Sequence, residues 1–346
     1  GCIPVENGFD NAVDVYGLEM PGYSKKCIPT NAQLYTLNNE NEWMYLNILN
    51  SGGQFTKAFS IDSHTMYIVA VDGIFVQPFE AHQIIIPVGS RISVLVRAKQ
   101  GSYPIRFAVS KMPQILEGKA ILNNNIPSYS INATKLIRYQ GIDGKLLNES
   151  YKTFCPNDTV PFEDSKKYNL TAKKGDHTFN LMLSRRSIIQ FSMFSNGELL
   201  PQDLERNHAL IQKLNLSEEA SAHKWIMDDN IKRNDIVDII LNNDGNATHP
   251  VHLHGHLFYV LSSSEVEDFP YSSVEEALEK GHIFRKEVPL VDIAFIPPRG
   301  HAVIRFIADN PGLWLFHCHN LGHLLGGMGA LLAEDIDAIP KRPSDL

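Results

Sequence analysis

The stretch Pro311–Glu334, PGLWLFHCHNLGHLLGGMGALLAE, sets a cysteine between two histidines at the end of an apolar run. Gly312–His319 is short, rich in Leu, Trp and Phe, and opens after Pro and Gly, which reads as a β-strand. Neighbouring side chains on a strand point to opposite faces, so His317 and His319 share one side and Cys318 takes the other. Such a strand gives two imidazoles to one metal site and a thiolate to a second. Short covalent paths from Cys318 to both histidines form an electron route between the two. The following NLGHLLGGM returns His323 and Met328 to the cysteine side. A thiolate, two imidazoles and a weak axial thioether are the donors of a blue-copper centre.

A second cluster, THPVHLHGH, spans Thr248–His256 and holds His249, His252, His254 and His256. His252 and His254 share a face by the same alternation. Histidine-rich ligands on strands, without paired cysteines, fit copper better than zinc.

Further out, the chain reads as β. WMYLNILN, AFSIDSHTMYIVAVDG, HQIIIPVGSRISVLVRAKQ and YPIRFAVSKM alternate apolar and polar residues and end at glycine or polar groups. After about residue 145 the composition turns polar, and a second β series follows in HTFNLMLS, IIQFSMFSNG, NDIVDIILNND, HLFYVLSS, AFIPPRGHAVIRFIAD and GLWLFHCH. This predicts an all-β chain of two antiparallel Greek-key sandwiches, residues 1–145 and 146–346. LSEEASAHKW and SSVEEALEKGH are acidic segments that read as short helices or excursions.

The formal charge of −8 over 346 residues argues against a nucleic-acid partner. No apolar run reaches the roughly 18–20 residues that span a bilayer. Sequons at Asn132, Asn148, Asn157, Asn169, Asn215 and Asn246, three of them within one polar stretch, point to a secreted glycoprotein. Cys2, Cys27 and Cys155 stand apart from Cys318; they suit a disulfide, but three cannot all pair with one another.

HPVHLHGH and HCHNLGHLLGGM resemble two copper-binding motifs of the multicopper oxidases. FSIDSHTMYIVAVDGIFVQP with GSRISVLVRAKQ is similar to the middle cupredoxin domain of fungal laccases and ferroxidases, and VIRFIADNPGLWLFHCH to the closing one. The resemblance implies two cupredoxin-like domains, the first without copper ligands. It assigns a type 1 copper to His249, Cys318, His323 and axial Met328, type 2 copper to His252, and the type 3 pair to His254, His317 and His319. His256 falls on a position that binds no metal. A reductant then supplies single electrons at type 1 copper, and Cys318 passes them to a trinuclear cluster that reduces O2 to water.

That cluster takes eight histidines in the family, and His252, His254, His317 and His319 supply four. The others come as two His-x-His pairs on a first cupredoxin domain, and residues 1–248 contain no such pair. We therefore expect an N-terminal domain or chain to complete the four-copper enzyme. Fungal members usually carry an acid where Leu321 stands, and bacterial ones often where Leu324 stands, so either proton delivery uses another group here or oxygen reduction is slow. Laccase-like oxidation of phenolic or related aromatic compounds is the leading expectation. Glu117 and Asp244 lie near positions where ferroxidases place substrate acids, which makes ferrous iron the alternative. A copper-binding electron-transfer or non-catalytic subunit is a third reading.

Overall fold

The computed structural model describes residues 33–37, 43–109, 117–124, 152–162, 173–186, 191–195, 198–199, 227 and 231–338. Backbone contacts divide the chain into Gly1–Asp158 and Thr159–Leu346. The division falls later than the change in composition, because Thr153–Phe154 adds as a parallel edge to Gln83–Ile86 of the first unit. Cys2 and Cys27, with the acidic segment 216–225, lie outside the described residues; Cys155 is half-buried.

Each unit contains two sheets. In the first, Trp43–Leu49, Arg91–Arg97, Met66–Val71 and Ile74–Ala81 form a four-stranded sheet in that spatial order. A six-stranded sheet is centred on Gly101–Val109 and Lys57–Ile61. In Met66–Val71 the fully buried Met66, Ile68 and Ala70 alternate with half-covered neighbours, as expected of a strand with one face on the core.

The second unit pairs a seven-stranded sheet with a four-stranded one. The smaller sheet runs Ile293–Ile296, His249–Leu253, Gly312–Cys318, Gly329–Glu334 and carries both histidine clusters. The antiparallel expectation needs one correction. Gln33–Leu37 runs parallel to Glu117–Asn124, and His177–Arg185 parallel to Ile236–Asn243. Long connections separate the members of each pair, and only such connections permit parallel neighbours.

Ile236–Asn243 is buried along nearly its whole length, because both of its faces are covered. The excursion after Ser264 folds back over one of them. Its helix Val274–Glu279, capped by the Ser273 hydroxyl, presses Val274 and Ala277 against Ile240, Leu261 and Val303. Asp238 interrupts the apolar strand and faces Arg305 in register. Arg305 donates to its two carboxylate oxygens at 2.5 and 2.7 Å, and both side chains are fully buried. A bidentate pair of this kind lets a charge stand inside a sheet.

Candidate copper centre

The register of the small sheet places the ligands. Val251 opposes Cys318, and His252 opposes His317. His249, two residues before Val251, therefore shares the Cys318 face, while His252 and His317 occupy the other.

The thiolate side closes with a turn of helix. Leu321–Leu325 is helical because the Asn320 side chain caps it, accepting from the N–H groups of Gly322 and His323 at 3.0 and 3.4 Å. That turn swings the buried His323 imidazole over Cys318. Sγ lies 3.5 Å from Nδ1 of His323 and 3.7 Å from Nδ1 of His249, and the two nitrogens are 3.0 Å apart. Among the described residues this is the one group of three such side chains with donor atoms close enough for a shared ion. Met328 is fully buried beside it; its N–H donates to the His323 carbonyl, and its own carbonyl accepts from the Cys318 N–H.

These residues fit copper. Donor atoms 3.0, 3.5 and 3.7 Å apart are close enough to share one first-row metal ion, whose bonds to imidazole and thiolate run to about 2.0 and 2.3 Å. Burial pushes the Cys318 thiol up to about 12, so the apolar pocket holds the proton until a metal displaces it. Burial also holds His323 down to about 4 and His249 well below its usual value, keeping both imidazoles neutral with a lone pair to give. One thiolate and two imidazoles suit copper, with the buried Met328 tied by its backbone to Cys318 and His323, whereas structural zinc takes four strong donors in a tetrahedron.

On the opposite face, Nε2 of His254 and Nε2 of His317 approach to 3.1 Å. The His252 ring lies 4.7 Å from His254 and 5.8 Å from both His317 and His319, centroid to centroid. Nδ1 of His252 donates to the Asp292 carbonyl at 2.7 Å, and Nδ1 of His317 to the Cys318 carbonyl at 2.9 Å. In both rings the proton is thereby fixed on Nδ1 and the lone pair on Nε2. Burial lowers His317 to about 4 and lowers His254 as well. The 2.9 Å bond also ties His317 to the cysteine backbone, adding a shorter path to the covalent one. Gly255 turns the chain after His254 at φ +78°, where a Cβ would lie 2.5 Å from the Trp314 ring.

His256 is directed elsewhere. Its Nε2 sits 2.7 Å from Glu334 with both side chains buried, a contact of opposite polarity rather than a well-aligned hydrogen bond. Leu321 opens the helix and is 52% exposed. Asp244 is exposed and accepts from the Ser184 hydroxyl at 2.5 Å. Glu117 begins the strand Glu117–Asn124, and its side chain lies outside the described residues. Two partners escaped the sequence reading: Phe191, whose ring stacks on His323 with centroids 4.0 Å apart, and the capping Asn320. Asn directly before the apolar Leu321 is a helix-start signal that identifies the second; no local pattern identifies the first.

A thiol and two imidazoles on one face of a cupredoxin-type sheet, with further histidines behind them, are the donor set of a copper-binding protein. Two family models described as multicopper oxidase match residues 9–142 and 211–338. The chain belongs to the multicopper oxidase family, whose cofactor is copper. It is 30% identical to the multicopper oxidase CTB12 of Cercospora beticola and 29% identical to the laccase ustL of Ustilaginoidea virens, over 99% and 100% of its length. It spans 56% of each of these relatives. Among solved structures it resembles Fet3p, a multicopper oxidase that functions in iron import (TM-score 0.68, 23% identity, 91% of this chain and 60% of that one). It also resembles the laccase of Botrytis aclada (TM-score 0.67, 21% identity, 90% and 55%).

Proposed function

We propose that this chain is the type 1 copper portion of a secreted, laccase-like oxidase that takes single electrons from phenolic or related aromatic reductants. The arrangement around Cys318 carries the reading: its Sγ faces His249 and His323, while its carbonyl holds His317 on the other face. Copper on the thiolate side supplies the one-electron acceptor. His252, His254, His317 and His319 give half of a trinuclear O2 site. An N-terminal cupredoxin domain or chain with two His-x-His pairs completes it, for four coppers in all. The sequons support glycosylation in the secretory pathway, and no described helix is long and apolar enough to cross a membrane.

Copper analysis and O2 uptake with a phenol test this reading on the purified protein with whatever chain accompanies it. Four coppers per complex and phenol-dependent O2 uptake are expected. One copper and no uptake would leave an electron-transfer or non-catalytic subunit. Asp244, exposed and five residues from His249, supports a ferroxidase alternative together with Glu117. Iron oxidation that collapses in Glu117→Ala and Asp244→Ala, with phenol turnover intact, would establish that alternative.

A further inference from the structure

The outer rim of the thiolate site carries a cation. Phe191 stacks on His323 with ring planes 27° apart, and its N–H donates to the Gly326 carbonyl at 3.0 Å, fastening its strand to the end of the helix. Arg185 is the register partner of Phe191, and its guanidinium carbon lies 5.9 Å from the Phe191 ring centre. Arg185 and Arg186 are exposed. So are Leu321 and Leu325, one turn apart on the helix that presents His323. Asp244 is bound to Ser184, and Ser184 and Arg185 point to opposite sides of their strand.

We infer that Arg185 selects the reductant, a small aromatic acid whose carboxylate meets the guanidinium while its ring lies on Leu321 and Leu325. This deepens the oxidase reading above and rests on it. A guanidinium repels a ferrous ion and pairs with a planar carboxylate through two parallel N–H bonds. Arg185 takes part in other contacts too, but five N–H donors leave it able to serve more than one acceptor. Held there, a hydroxylated ring sits beside Phe191 and His323. It gives up one electron and its hydroxyl proton, becoming a phenoxyl radical. Dioxygen is the final oxidant, four such electrons and four protons making two waters.

The test compares 4-hydroxy-3-methoxycinnamic acid with its methyl ester, using the complete copper-loaded enzyme at a pH where the acid is ionised. Wild type is expected to favour the acid about tenfold in kcat/KM, as one charge-assisted pair at a partly exposed site allows. Arg185→Gln removes the preference by raising KM for the acid relative to the ester. Binding of 4-methoxybenzoate, measured by ligand-observed NMR, gives a readout independent of turnover: it weakens about tenfold in Arg185→Gln, while its methyl ester binds as before. Equal rates for acid and ester in wild type, or an unchanged ratio in Arg185→Gln, would overturn the role of Arg185 and leave the oxidase reading standing. Loss of turnover on both compounds with iron oxidation retained would overturn both.

Discussion

The Nδ1 atoms of His249 and His323 lie 3.0 Å apart although 74 residues separate them along the chain. Both imidazoles are buried, and two neutral rings at that distance set one Nδ1–H against the other ring's Nδ1 lone pair. A bound metal would satisfy both nitrogens and the adjacent Cys318 Sγ at once.

Acid should therefore unfold the copper-free protein. Folded His323 and His317 titrate near 4, against 6.5 for the unconstrained side chain. The unfolded chain takes up protons first, so this stability is fully present above about pH 6.5 and is lost as pH falls towards about 4. Melting temperature measured against pH should be flat above that window and decline through it. Copper loading should move the decline to lower pH, because metal replaces the protons. A flat profile for the copper-free protein would contradict the buried neutral imidazoles.

Cys318→Ser should abolish the intense visible band of a copper–thiolate centre and remove one copper per chain. A buried hydroxyl replaces a soft sulfur that is wholly enclosed, so a stability loss of about 1–3 kcal/mol accompanies it. Absorbance and metal analysis on the same sample check this.

Met328→Leu should raise the type 1 reduction potential, since a weak thioether donor stabilises the oxidised metal and an alkyl group does not. Met328 is fully buried and held by backbone bonds to His323 and Cys318, so leucine fits with little rearrangement. A potential that falls in redox titration would remove Met328 from the axial role.

Asn320→Ala should cost about 1 kcal/mol by uncapping the turn that carries His323. Because that turn aims the imidazole, copper affinity should fall as well, and Asn320→Asp should restore most of both. Denaturant melts and competitive chelation measure the two effects.

Arg305→Met should destabilise the second unit by about 3–5 kcal/mol, leaving Asp238 buried without its partner. Arg305→Met with Asp238→Leu should recover much of that loss, since two apolar groups leave no stranded charge. Equal melting points for the single and double variants would argue against the pair.

By itself the sequence determined the two-faced logic of the site. Alternation along a strand is set by covalent geometry, so the order His317, Cys318, His319 already assigns the thiol and its neighbours to opposite sides. The same reasoning placed His252 beside His254, and the strand patterns exposed the β architecture. Tertiary structure decided what crosses from one segment to another. Opposition of Val251 and Cys318 turns His249 toward the sulfur; the Asn320-capped helix swings in His323; Phe191 and Arg185 come from a hairpin more than a hundred residues upstream. The pairing of Asp238 with Arg305 and the parallel strand pairs were likewise invisible in the local pattern. A residue's period reports which way its side chain points, but not which distant strand lies opposite. That choice is made by register and packing, and register and packing set the distances at which donors, rings and charges meet.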